Sequence, residues 1–137
     1  MMQNINRLRK GFTLLELLVV ISIIGILLAV GTTAFTTAQK RGRDARRLED
    51  VKAMQSAFEQ YYAQEGGYAV CSTMAAMMTG GSIPVDPKSD YSYTCVGDAI
   101  ADTYCVCAQL EDISGGNSNN NSCGFNGVGY YCLENLQ

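Results

Sequence analysis

Apolar and polar positions divide the chain into two regimes. From Phe12 to Phe35 the residues are almost uniformly apolar, and between Leu17 and Gly31 the only polar side chain is Ser22. Such a run predicts a helix that is hydrophobic on every side. At about 1.5 Å per residue it covers the ~30 Å of a bilayer core. A buried core helix does not fit, because the rest of the chain is too small and too polar to wrap it. A cleaved secretory signal does not fit either, since the run is too long and no A-x-A-like site follows it.

The second regime begins near Asp44. Leu48, Val51, Met54, Phe58 and Tyr61/Tyr62 recur every three or four residues, which predicts an amphipathic helix. No proline interrupts residues 12–65, so span and stem are expected to form one helix of about 50 residues, roughly 80 Å long. Gly25, Gly31 and Gly42 are its weak points, at about 1 kcal/mol each relative to Ala. Gly66-Gly67 is the expected stop.

The remainder predicts a small α+β head. Cys71 to Thr79 reads as a short helix with Met74, Met77 and Met78 packing on one side. Gly80-Gly81 breaks it, and Pro84-Val85-Asp86-Pro87-Lys88 is a rigid turn. Tyr91 to Cys95, Thr103 to Leu110 and Gly127 to Leu133 read as strands, and Gly115 to Asn121 as a loop. The economical arrangement is the long helix packed on a small antiparallel sheet. The expected division is 12–35 span, 36–65 stem and 66–137 head.

Charge follows the same division. Arg7, Arg9 and Lys10 precede the span without an acid. Lys40, Arg41, Arg43, Arg46, Arg47 and Lys52 lie in the stem against Asp44, Glu49 and Asp50, and beyond residue 52 Lys88 faces nine acids. Counting Lys and Arg alone leaves the membrane orientation open. The cysteines decide it. All six (Cys71, Cys95, Cys105, Cys107, Cys123, Cys132) lie after the span, and an even count in a small Gly/Asn/Ser-rich head fits disulfides in an oxidising compartment. Zinc is disfavoured, because there is no C-x-x-C and no histidine. Cys105 and Cys107 point the same way along a strand and are poorly placed to bond each other. Cys123–Cys132 and Cys71–Cys95 are the expected pairs.

The chemistry of an enzyme is missing. There is no histidine for a triad, no P-loop and no G-x-G-x-x-G, so neither catalytic residues nor a cofactor are expected. Asp86, Asp90, Asp98, Asp102, Glu111 and Asp112 read as a solvated acidic face. Asp86, Asp90, Asp98 and Asp102 are donors of the kind calcium takes, but no EF-hand spacing joins them. The basic stem reads as a solvated helix face with local pairs such as Arg46 to Asp50; lipid head groups or nucleic acid phosphates are its other conceivable partners, and nothing in the sequence supports nucleic acid. Asn120-Asn121-Ser122 matches a glycosylation sequon of little weight. The eight tyrosines read as head packing. One residue stands out. Glu16 is the only charge in the apolar run, where a carboxylate costs about 2.5–3.5 kcal/mol. It is expected to have a partner.

Lys10-Gly11-Phe12-Thr13-Leu14-Leu15-Glu16-Leu17-Leu18-Val19-Val20-Ile21 resembles the leader junction of type IV prepilins and type II secretion prepseudopilins. Gly66-Gly67-Tyr68 and Pro84-Val85-Asp86-Pro87 are similar, more loosely, to a small bacterial pilin head. The resemblance implies that residues 1–11 are a leader, cut by a prepilin peptidase between Gly11 and Phe12, with N-methylation of Phe12. It implies a subunit held in the inner membrane as a single pass with its C-terminus outside. An assembly platform then builds it into a homopolymeric helical filament, an extracellular pilus or a periplasmic pseudopilus. The mature chain would carry seven basic against thirteen acidic residues. A small residue at 11 suits a protease site. Glu16 would meet the Phe12 amine of a neighbour, cationic at pH 7 with an unperturbed pKa near 8. Alternatives are a secretion pseudopilin, a DNA- or surface-binding tip pilin, and a plain membrane-anchored protein. Many family members have a proline where this chain reads Val30-Gly31-Thr32-Thr33-Ala34, so any kink is left to Gly25 and Gly31.

Overall fold

The computed structural model describes residues 11–137; the basic residues Arg7, Arg9 and Lys10 and the leader before Gly11 lie outside them. One helix, α1, runs Leu14–Glu65 over 52 residues. It begins where Thr13 supplies a side-chain cap. It ends at Gly66, whose φ of +77° lets its N–H donate to the Tyr62 carbonyl at 2.8 Å. The chain forms two compact units that part between Thr37 and Ala38.

In the first unit the apolar side chains of α1 stay uncovered, Leu14 at 82% and Ile24 at 49% exposed. This is the one helix among the described residues long and apolar enough to cross a membrane.

The second unit holds the core. Val51, Met54, Ala57 and Phe58 of α1 are buried against Tyr68, Met74, Ala75, Tyr104, Val106 and Ala108. The expected apolar stripe is therefore the packed one, with Leu48, Tyr61 and Tyr62 half-buried at its margins. Three antiparallel strands, β1 (Thr94–Asp98), β2 (Thr103–Gln109) and β3 (Tyr130–Glu134), form a sheet in the order β1-β2-β3. Tyr104, Val106 and Ala108 alternate along β2 and turn one face of the sheet to α1. The rings of Phe58 and Tyr68 both stand edge-on to Tyr104, with centroids 5.1 and 4.9 Å away. α2 (Cys71–Met74) continues into a 3-10 turn, Ala75–Met77, so the expected nine-residue helix is shorter. Met74 is fully buried, and Met77 and Met78 pack around it as partners of the core.

Two strands begin later than the alternation suggests. Tyr91 and Tyr93 precede β1, because the Tyr91 ring lies 4.5 Å from the Arg47 guanidinium carbon and the Tyr93 hydroxyl donates to Asp50. Gly129, at φ +96°, keeps Gly127–Gly129 out of β3. Both sheet edges are covered. A Cβ on Gly97 of β1 would come within 2.5 Å of the Ala69 carbonyl. Outside β3, the Asn117 side-chain amide donates to the Cys132 carbonyl and accepts from its N–H, each at 2.8 Å, as a neighbouring strand would.

The disulfides correct one expectation. Cys71 bonds Cys95, but Cys123 bonds Cys105, and Cys132 bonds Cys107. The reason is register. Cys132 lies directly opposite Cys107 across β2 and β3, with 4.1 Å between Cα atoms, while Cys123 lies in the loop over the other half of the same sheet face. Cys105 and Cys107 are adjacent at 3.6 Å between sulfurs and bond different partners.

Candidate functional site

The N-terminal residues singled out by the sequence lie together and exposed. Gly11 and Phe12 precede α1, and Phe12 is 78% exposed. Thr13 caps the helix. Its backbone N–H and its hydroxyl donate to Glu16 Oε2 at 2.9 and 2.7 Å, and Glu16 N–H donates back to Thr13 Oγ1 at 3.2 Å. This is a reciprocal capping box. The signal was present in the sequence, as Thr13-Leu14-Leu15-Glu16 ahead of an apolar run. Within the chain, then, Glu16 already has a local partner. Its position in the first turn also favours it through the helix dipole. Gly11, by contrast, has room for a side chain, since a Cβ there meets nothing within 4 Å among the described residues.

A second constellation was not legible as such. Arg47 is fully buried among three carboxylates. Nε and Nη2 donate to the two oxygens of Asp86 at 2.7 Å each, a fork-to-fork pair. Nη1 donates to Asp44 at 2.7 Å and to Glu111 at 3.0 Å. Arg43 adds a second fork on Glu111 at 2.6 and 2.8 Å. Asp44 accepts the backbone N–H groups of Glu111 and Asp112, both at 2.9 Å. The cluster therefore ties residues 86–88 and 110–112 to α1.

Asp86 and Glu111, expected on a solvated face, are thus largely buried. They are drawn inward because the apolar stripe of α1 continues backward into Arg47 and Asp44 at the same spacing, and that buried cation requires anions. Hydrogen bonds from Arg43, opposed by burial and joined by Arg47, hold the Glu111 carboxyl down to about 2. Burial raises the Asp86 carboxyl, but the Arg47 and Lys88 N–H donors outweigh it and hold it below its ordinary value. The Arg47 guanidinium is held charged above all by Asp86. The expected Arg46–Asp50 pair is present but loose, at 3.8 Å on the surface.

Glu59, half-buried, is the centre of a second polar group. It accepts the hydroxyls of Tyr68 and Tyr104 at 2.8 Å and the Leu136 N–H at 3.0 Å. Burial, then Glu59, push the Tyr68 phenol up to about 12.

The remaining candidates do not converge on one centre. Asp98 closes its own turn by accepting Ile100 and Ala101 N–H, Asp102 accepts Tyr68 N–H at 2.6 Å, and Asp86 is committed to Arg47. No calcium-like cluster forms from them among the described residues. The one close group of ligand-type atoms there is the sulfurs of Cys105, Cys107 and Cys123, which are disulfide-bonded. Asn120 of the sequon uses its carbonyl on the Ser122 and Gly124 N–H groups.

A long N-terminal helix, bare along its apolar half and packed along the other on a small disulfide-bonded antiparallel sheet, is the architecture of a pilin-like subunit. Residues 6–32 match the prokaryotic N-terminal methylation motif. The chain is 35% identical over 99 residues to the type IV narrow pilus major component PilA5 of Thermus thermophilus, covering 71% of this chain and 85% of that one. It is 36% identical over 86 residues to the type IV major pilin PilE1 of Neisseria gonorrhoeae, covering 63% of this chain and 50% of the relative. With the type IV major pilin PilA of Myxococcus xanthus, identity is 33% over 64 residues, 47% of this chain and 29% of that one. The chain belongs to the type IV pilin family, whose members are structural proteins and not enzymes. It spans about half the length of the Neisseria pilins it matches. No solved structure matches it.

Proposed function

We propose that this chain is a structural subunit of a type IV pilus-like filament. In this reading a prepilin peptidase cuts between Gly11 and Phe12 and Phe12 is N-methylated. The subunit waits in the inner membrane as a single pass with its head outside. A membrane assembly platform then adds it to a homopolymer whose core is residues 12–35, with the stem (36–65) and head (66–137) around it. The observation that carries this reading is the match to the methylation motif over residues 6–32, which spans the Gly11–Phe12 bond and Glu16. Two structural features support it. Gly11 is glycine although a Cβ there would meet nothing within 4 Å among the described residues. The apolar half of α1 finds no cover among the described residues, and both a bilayer and a bundle of identical helices supply that cover. The relatives are named for pili and fimbriae, which favours a pilus over a secretion pseudopilus.

The test is mass spectrometry of the mature N-terminus together with shearing of cells. A methylated Phe12 start and this chain as a major component of sheared filaments are the expected results. An N-terminus still carrying residues 1–11 in the sheared fraction overturns the processing step. A mature chain confined to the membrane fraction overturns the filament.

A further inference from the structure

The head presents an apolar side chain in an acidic setting, and the stem presents two exposed cations, Lys40 and Arg41, that form no ion pair within 4 Å among the described residues. The β1–β2 hairpin turns at Asp98-Ala99-Ile100-Ala101-Asp102, and Ile100 at its tip is 98% exposed. It is held out, not left loose. Asp98 accepts the Ile100 and Ala101 N–H groups, at 2.8 and 3.1 Å, and Asp102 at the other end accepts Tyr68 N–H. Neither aspartate meets a cation among the described residues of its own chain. On α1, residues 38–41 are exposed, and Lys40 and Arg41 are cations that make no ion pair within 4 Å there. Asp44 and Glu111 are consumed by Arg43 and Arg47, and the one head carboxylate that acts on Arg41 is Asp112, which is hydrogen-bonded to Ser114 and makes no ion pair with Arg41 within 4 Å.

We propose that the exposed Lys40/Arg41 face of α1 is a docking surface for the β1–β2 tip of a second copy of this chain. The two patches match in chemistry. Asp98 and Asp102 meet Lys40 and Arg41, and Ile100 lies on the methylene stems of those two side chains and on Ala38. The patches are different surfaces of one chain, so the contact is heterologous. It propagates from copy to copy instead of closing on a dimer. A second copy is favoured over a lipid surface because lipid phosphates would not engage the acidic tip. The inference rests on the filament reading and specifies one contact that the heads add to it.

The test places a photo-reactive phenylalanine analogue at position 100 of the full chain and maps its crosslinks in sheared filaments. The expected product joins Ile100's position to a peptide of residues 38–52 of another subunit. A parallel pair of charge changes uses exposed residues whose side chains make none of the turn's hydrogen bonds. Ala99→Lys/Ala101→Lys should lower filament mass severalfold, Lys40→Glu/Arg41→Glu should do the same, and the four changes together should restore it. Filaments that form normally in both double variants, or crosslinks that map only elsewhere, overturn the docking surface while leaving the subunit reading intact. Absence of any wild-type filament fails the subunit reading instead. A lipid role would appear as membrane crosslinks at Lys40 and Arg41 with no rescue by the combined changes, and also counts against the proposal.

Discussion

Arg47 decides more of the second unit than any other side chain. A fully buried guanidinium has given up its hydration, and its three carboxylates make good that loss only while all are ionised and aligned. Arg47→Met is expected to destabilise the fold by about 3–5 kcal/mol, since Asp44 and Asp86 are then left buried without a cation and Glu111 keeps Arg43 but loses its second guanidinium. Chemical denaturation at neutral pH measures it. The pH dependence follows from the carboxylates. Glu111 is held at about 2 in the fold against an ordinary 4.5, so its contribution is fully present above about pH 4.5 and is lost as pH falls from there toward 2. Asp86, also held low, acts in the same direction. Glu111→Gln should therefore be less stable than wild type at pH 7, with a smaller further loss on acidification through that window. An unchanged slope of stability against pH would remove Glu111 from this role. The cluster was half legible. Residues 44, 47, 51, 54 and 58 share one helical spacing, and a cation and an acid on a core-facing stripe are a signal of a buried pair. The partners were not legible, because Asp86 and Glu111 are brought in by turns 39 and 64 residues away from Arg47 in the chain.

Among the elements, α1 was readable because its apolar period, its lack of proline and its glycine stop all act locally. The sheet was readable as three strands, but its boundaries depended on side-chain business elsewhere. Tyr91 and Tyr93 alternate like a strand yet are spent on Arg47 and Asp50. Disulfide pairing was the least readable, because it depends on strand register, and loop length alone does not fix it. The same register makes a comparative prediction. Cys71–Cys95 and Cys107–Cys132 close loops with separations of 24 and 25 residues, so their chain-entropy contributions are nearly equal. Cys107 and Cys132 are buried at 1% and 0%, whereas Cys71 and Cys95 are half-exposed. Replacing each pair by alanine should cost about 2–5 kcal/mol, with the larger loss for Cys107/Cys132, where buried sulfur contacts go as well. Equal losses in thermal melts would show that loop closure alone matters. Gly97→Ala should also destabilise the head, because its Cβ would meet the Ala69 carbonyl where the chain crosses the β1 edge. Gly25→Ala, with nothing within 4 Å, should leave the melting of the second unit unchanged.

For the molecule as a polymer subunit, the question is what Glu16 does. Its membrane setting suggested a partner from outside the chain, and the structure supplies one inside it. Thr13 donates twice to Glu16 Oε2, so the carboxylate earns a place in α1 as half of a capping box, with Oε1 outside that motif. The two roles are separable by mutation. Thr13→Val removes the hydroxyl of the cap and keeps the Glu16 charge; losing such a cap costs the helix about 0.5–2 kcal/mol. Glu16→Gln keeps side-chain shape and an acceptor for the cap but removes the charge. If Glu16 serves chiefly to start the helix, Thr13→Val should impair filament assembly as much as Glu16→Ala, and Glu16→Gln should assemble. If Glu16 holds the Phe12 amine of a neighbour, the order reverses. Thr13→Val filaments persist, Glu16→Gln and Glu16→Ala subunits accumulate unassembled, and all three are cut between Gly11 and Phe12. We expect the second order. A buried ammonium left without its counter-charge costs about 3–5 kcal/mol at every added subunit, whereas a frayed first turn is re-formed by the packing of the helices around it. Filament mass per cell and the mass of the mature chain, measured on the same three variants, decide between them.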